Sequence, residues 1–413
     1  MKRTIFTNLA PNTETDDVRM ALNLLMKPGI WKKGQAVTEL EDLFRKYLSV
    51  KYAVTFESGR TGLYALLKTL SLTEGDEVLV QAYTCVAVPN SVIWAGGKPV
   101  YVDCNPDTFN MDPDDVLKKV NAKTKAIIIQ HTFGGMADMT RLMEIARAHE
   151  LFVIEDCAHA IGSEYKGKKA GTFGHAALFS FGRDKSASSV FGGMVVTQFD
   201  MLAEALSKEI EQYPYSNNLW ILNQLLHPII THLIKASFDF FYLGKVLLWF
   251  SKKTGLISKA VEPQEKTGKR ASFLCHRMPN ALAVLALHQM RKIDIFNAHR
   301  AYLAKIYADE LKDTGVALPK VFDDSKHIFI RYTIKINKTD EIRRKMIKSK
   351  IFLGDWYDTP IAPKNVDYKA IGYESGSCQT AENLAKTTIN LPTDIHIKTE
   401  DAKRIAQLLK INL

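Results

Sequence analysis

The feature that most constrains this chain is an alternation of two textures through its first half. Short β-rich apolar runs recur at YAVTF (52), EVLVQ (77), PVYVD (99), AIIIQ (126), FVIED (152), ALFSF (177) and MVVTQ (194). Between most of them lie helix-patterned stretches: TGLYALLKTL, DPDDVLKKV and DMTRLMEIARAHE. Strands apolar on both faces and separated by helices predict a mostly parallel sheet covered on both sides. Such sheets collect function at the carboxyl ends of their strands. The polar clusters of this chain fall at those ends.

With 413 residues, the chain is long for one core. We read a large domain over 1–205, an apolar and basic helical insertion over 206–270, and a smaller α+β domain over 271–413. The last part holds helical patterns in MPNALAVLALHQMRKIDIFNAHRAYLAKIYADEL, TDEIRRKMIKSK and EDAKRIAQLLK, and a strand pattern in IFIRYTIKI from 328. The net charge of +10 is spread out and forms no basic block. It suits a phosphorylated small molecule or an anionic membrane surface and argues against nucleic acid. Five dispersed cysteines without a CxxC pair point to a reducing compartment. The N-terminus lacks the apolar core of a signal peptide, so the expected location is cytoplasmic. Residues 214–260 mix dense aromatics and aliphatics with His227, Pro228, His232, Lys235, Asp239 and Lys245. No run suffices for a transmembrane helix. Two readings stay open for it: a peripheral contact at the inner membrane face, or packing against this protein or a second subunit.

Three strand ends carry chemistry. In FESGRTGLYALL a strand ends, Ser58 and Gly59 turn the chain, and a helix begins near Arg60 or Thr61. Its free N–H groups make an anion site. In FVIEDCAHAIG, Glu155 and Asp156 close a strand and His159 follows. A metal site there would lack a second His or Cys at ligand spacing, so no metal is expected. A buried strand-end Asp calls for a partner such as a protonated ring nitrogen. Lys185 follows the next strand in FSFGRDKSASSVFGGM, within a loop of small and polar residues. An anion cradle, a carboxylate and a lysine are the needs of pyridoxal 5'-phosphate.

The stretches SGRTGLYALL, YVDCNPDTFNMDPDDV, HTFGGMADM, VIEDCAHAIGSEYKGKKAGTFGHAALFSFGRDK, GGMVV and HRMPNALAVLALHQM occur in that order. Together they resemble the DegT/DnrJ/StrS-type sugar aminotransferases, pyridoxal-phosphate enzymes of fold type I. The resemblance covers roughly residues 10 to 200 and 270 to 410. It implies a homodimer with the active site at the subunit interface. It also implies transfer of an amino group from a donor such as glutamate to a nucleotide-linked keto-sugar. Lys185 would be the Schiff-base lysine, Asp156 would face the pyridine nitrogen, and His159 would lie beside the cofactor ring. Ser180 would bind the phosphate with Ser58, Gly59, Arg60 and Thr61. Two positions depart from the family pattern. Cys85 stands where an aromatic usually stacks on the ring, with Tyr83 nearby. Cys275 stands where an Asn commonly reaches the neighbouring subunit's phosphate. The family's dehydratase relatives carry His in place of the lysine, so Lys185 favours transamination. A lyase using the same cofactor, and a non-catalytic binding protein on the same fold, are the alternatives at this point.

Overall fold

The computed structural model describes residues 3–413. All seven predicted runs form strands of one seven-stranded sheet. They are β1 (Tyr52–Phe56), β2 (Glu77–Gln81), β3 (Lys98–Val102), β4 (Thr124–Gln130), β5 (Phe152–Asp156), β6 (Ala176–Ser180) and β7 (Gly193–Thr197). Across the sheet the order is β1-β7-β6-β5-β4-β2-β3. The pairs from β6 through β3 are parallel, while β7 runs antiparallel to both β1 and β6. The carboxyl ends of β1, β2, β4, β5 and β6 therefore share one edge of the sheet.

Alternation within each strand splits the core. Ile127 and Ile129 enter one apolar cluster with Leu79, Val153 and Phe179. Ile128 enters the other, with Val78, Val80, Ile154 and Leu178. A sheet buried on both faces explains why these runs are apolar throughout. A third cluster, with Tyr307, Ile334, Ile389, Ile405 and Leu409, organises the C-terminal α+β unit. The first strand of the chain, Ile5–Phe6, pairs with Ile351–Phe352 and so joins that unit. Helix Asn280–Met290 packs in the first cluster with the sheet.

Two local patterns resolve differently from the sequence expectation. The helical run after 278 splits into Asn280–Met290 and Ile293–Leu311. At the break, Lys292 reaches Glu14, Asp16 and Asp17, an attraction along the chain's surface that periodicity does not register. Of IFIRYTIKI, only Tyr332–Lys335 joins a ladder. Ile328 and Ile330 instead donate their N–H groups to Gly134 and Phe133, with Phe329 turned to φ +50 between them.

Residues 214–260 hold two helices. Asn217 caps α2 (Asn218–Ser237), its side chain accepting from the Trp220 N–H at 2.8 Å. Helix α2 lies against α1 (Thr15–Leu25) and against α3 (Leu243–Thr254). Among the described residues, no helix is long and apolar enough to cross a membrane.

Candidate active site

The turn after β1 begins the site. Ser58 is extended and accepts from the Thr61 N–H at 3.2 Å, capping helix Gly59–Lys68. The turn sits directly on β7. A Cβ at Gly193 would lie 2.5 Å from the Ser58 carbonyl and the Gly59 nitrogen, so only glycine allows the crossing. Gly59 in turn approaches Ser180, whose Cβ would be 3.2 Å from an added methyl. The unpaired N–H groups of the helix start thus face the end of β6.

Asp156 ends β5 and is buried. It accepts one hydrogen bond, from the Ala158 N–H at 3.0 Å. Burial pushes its carboxyl up, against the pull of that N–H, of Lys185 and of His131. Lys185 is reached five residues after Ser180 closes β6. Burial pulls its ammonium down, with Asp156, Cys85 and Asp184 opposing. Its Nζ lies 5.1 Å from the Trp356 ring centroid. His159 stacks on Trp356 with centroids 4.8 Å apart and planes 8° from parallel. Its Nδ1 accepts from the Phe133 N–H at 3.4 Å, which assigns the proton to Nε2. Burial, with Lys185 and Arg331 nearby, holds this imidazole well below its ordinary range. It is neutral at physiological pH.

Glu155 points to the other side of the sheet, as period two requires. Its oxygens accept from the N–H groups of Gly171, Phe173 and Gly174 and meet His131 at 3.1 Å. Four partners satisfy it as a brace for the 171–174 turn.

Ser58, Gly59, Arg60, Cys85, Asp156, His159, Ser180 and Lys185 line one cavity of about 280 Å³. Thr61 and Cys275 lie behind it. The Cys275 N–H donates to the Thr61 Oγ1 at 3.0 Å, and Thr61 Oγ1 donates to the buried Glu57. Tyr83 also faces away, its hydroxyl 2.6 Å from the Thr388 Oγ1. Ring packing at Cys85 therefore has no help from Tyr83 within this chain.

Several lining residues were not singled out from sequence. Arg183 and Asp184 immediately precede Lys185 in the quoted loop, and Asp355, Trp356, Tyr357 and Asp358 come from the C-terminal unit. The run DWYD, polar and aromatic between apolar stretches, was the available signal. Arg183 donates to the Ser258 carbonyl and Oγ, and Arg60 pairs with the fully buried Glu265. The segment leaving α3 thus closes one side of the cavity, with Ala260 and Val261 on its wall.

The residues fit pyridoxal phosphate. Asp156 is a buried carboxylate short of partners, which suits a ring N–H. Lys185 is a half-buried amine without a side-chain hydrogen bond among the described residues, which suits a carbonyl. Ser58, Ser180 and the helix start suit a phosphate. Asp184 Oδ1, also buried in the wall, has no hydrogen-bond partner among the described residues.

The DesV structure of S. venezuelae superposes with a TM-score of 0.78 at 24% identity, covering 100% of this chain and 98% of that one. Fold and site together define a fold type I pyridoxal-phosphate-dependent transferase. The model of the DegT/DnrJ/EryC1/StrS aminotransferase family matches residues 12–212 and 257–410, and the chain belongs to that family. A pleiotropic regulatory protein of Geobacillus stearothermophilus is 31% identical over 392 residues, covering 95% of this chain and 93% of the relative. A GDP-perosamine synthase of Caulobacter vibrioides is 28% identical over 403 residues, covering 97% and 96%. The protein is therefore a pyridoxal-phosphate-dependent aminotransferase.

Proposed function

We propose that this protein transfers an amino group from an amino-acid donor such as glutamate to a keto-sugar carried on a nucleotide, as a homodimer. The observation that carries the reading is the pairing of buried Asp156 with half-buried Lys185, set at and just beyond the ends of adjacent strands in one cavity. The likeness to a GDP-perosamine synthase supports a nucleotide-linked substrate. We place the reaction in the cytoplasm, which suits five free cysteines. We propose three units, 1–205, 206–270 and 271–413, with Ile5–Phe6 packed on the last and helix Asn280–Met290 packed on the first.

Pyridoxal phosphate, when bound, supplies a carbonyl that captures amines and a ring that takes up the electron pair left by a broken C–H bond. Lys185 would hold that carbonyl through Nζ. Its lowered proton affinity leaves more of the amine neutral, so a freed Nζ can accept a proton and return it. Asp156 holds a proton at the ring nitrogen, which in turn restores the carboxylate form that burial disfavours. Neutral His159, clamped by Trp356, donates from Nε2 without adding charge. Ser58, Ser180 and the N–H groups of Gly59 and Arg60 bind the phosphate. Thr61 acts behind them, holding the turn, and Cys275 is left to the subunit contact. Trp356 and Tyr357 exclude water from the Lys185 side of the cavity.

The test is borohydride fixation of the cofactor followed by peptide mass spectrometry, with absorbance followed before and after glutamate. Fixation is expected at Lys185 alone, and glutamate is expected to shift the spectrum and release 2-oxoglutarate. Lys185→Ala is expected to lose fixation and turnover while keeping its circular dichroism. Full turnover by Lys185→Ala, or fixation at another lysine, would overturn the assignment.

A further inference from the structure

The α2–α3 hairpin falls wholly within residues 213–256, outside the family match. Its tip and α3 turn large apolar side chains to solvent: Phe240 is 60% exposed, Phe241 83%, Tyr242 69%, Val246 60%, Trp249 61% and Phe250 49%. Leu233 and Ala236 of α2 and Leu243 and Leu247 of α3 line an apolar groove continuous with them. An exposed apolar surface of this kind marks a contact site.

The charges around the patch choose the partner. Lys245, Lys252, Lys253 and Lys259 are all exposed. Lys245 lies 4.6 Å from the Tyr242 ring centroid and Lys253 lies 5.0 Å from that of Trp249, so stems cover rings while ammonium groups stay at the rim. The one carboxylate between 233 and 259, Asp239, is held by Lys350 at 2.7 Å and by the Thr4 N–H at 2.8 Å. An aromatic centre with a lysine rim matches an anionic bilayer, with rings at the headgroup level and lysines on phosphates. A second copy of the chain would bury the rings equally well. A two-fold contact, however, would bring the same lysine rim against itself.

We propose that the α2–α3 hairpin lies in the interface of an anionic lipid surface, holding the protein at the membrane without crossing it. The rings of Phe240, Phe241, Trp249 and Phe250 enter the boundary between headgroups and acyl chains. Lys245, Lys252 and Lys253 face the lipid phosphates. The chain leaving α3 carries Ser258, bonded to Arg183, and then the cavity wall at Ala260 and Val261, so docking brings the rim of the cavity to the bilayer. The proposal does not depend on which sugar is aminated.

Co-sedimentation of the full-length, cofactor-loaded protein tests it. The probes are vesicles of phosphatidylcholine alone and of phosphatidylcholine and phosphatidylglycerol in equal parts, at low and high salt. Binding is expected on the phosphatidylglycerol vesicles, and salt should weaken it. Each basic residue near an anionic surface is worth roughly fivefold in partitioning, so Lys252→Gln with Lys253→Gln should cost roughly thirtyfold. Trp249→Glu with Phe250→Glu should abolish binding. Both variants should keep wild-type circular dichroism and release of 2-oxoglutarate from glutamate, which shows that the fold survives. Absence of wild-type binding at low salt, or equal binding to neutral vesicles, would overturn the proposal. So would a Trp249→Glu variant that turns dimer to monomer by light scattering yet binds vesicles as wild type does, because the patch would then join two copies.

Discussion

Asn12 lies 173 residues from Lys185 in sequence and holds its loop in space. The Asn12 Nδ2 donates to the Lys185 carbonyl at 2.6 Å and to the Ser186 carbonyl at 3.2 Å. Its Oδ1 accepts from the Arg300 Nη2 at 2.9 Å, and that guanidinium also reaches the Ser186 carbonyl at 2.9 Å. Asn12 is 2% exposed and Arg300 1%, so water does not replace a lost partner. Asn12→Ala removes two neutral hydrogen bonds, about 1 kcal/mol each, and strips an acceptor from a buried charge, about 2 kcal/mol more. The expected loss is roughly 4 kcal/mol, a large share of an ordinary domain's stability. Asn12→Asp gives a discriminating control. It restores an acceptor for Arg300 but has no N–H for the two carbonyls, and it sets a carboxylate against them. It should recover part of the stability while leaving the loop loose. Urea unfolding of both variants reads the first effect. Hydrogen exchange of the 182–189 amides, with the rate of borohydride fixation at Lys185, reads the second. If Asn12→Ala unfolds at the wild-type urea midpoint and its 182–189 amides exchange no faster, the network does not hold the lysine loop.

Asp156→Asn keeps the shape of the side chain and removes its charge. Turnover should fall by about a hundredfold or more, the scale of losing one preorganised electrostatic partner, with the unfolding midpoint little changed; near-wild-type turnover would make Asp156 a structural residue. Glu57 is fully buried, and its carboxyl is pushed up to about 8 from 4.5, chiefly by burial. Because the folded state keeps this proton where the unfolded chain releases it, its stabilising contribution is complete below 4.5 and is lost as pH rises to about 8. The slope is at most about 1.4 kcal/mol per pH unit. Glu57→Gln should flatten the fall in denaturation midpoint over that window, and an unchanged slope would refute a proton held at Glu57. Gly193→Ala places a methyl 2.5 Å from the Ser58 carbonyl and the Gly59 nitrogen. The clash is with backbone, so a cost of about 1–3 kcal/mol and weaker cofactor retention are expected, measured by urea unfolding and by equilibrium dialysis of pyridoxal phosphate.

The seven strands and their parallel class were legible in the sequence, because an apolar run buried on both faces carries its own signature along the chain. The same holds for the bringing together of Asp156, Ser180 and Lys185. Each sits at or just beyond the end of a strand, and β5 and β6 are neighbours with few topological choices. Gly59 was legible as a turn, but its close crossing with Gly193 comes only from the packed strands. Tertiary structure alone decided the rest. Trp356 and Tyr357 reach the cavity from about 170 positions beyond Lys185, and nothing in the spacing of DWYD indicates a distant lysine. Tyr83 and Cys85 are two residues apart, yet only Cys85 faces the cavity, since Tyr83 takes a φ of +66 and bonds to Thr388. Thr61 sits in a matched motif and Cys275 just ahead of another, yet the two bond to each other behind the wall. The direction of the pKa shifts belongs to this second group too. Asp156 and Lys185 are raised and lowered chiefly by burial, a property of the packed elements around a group rather than of its neighbours in the chain.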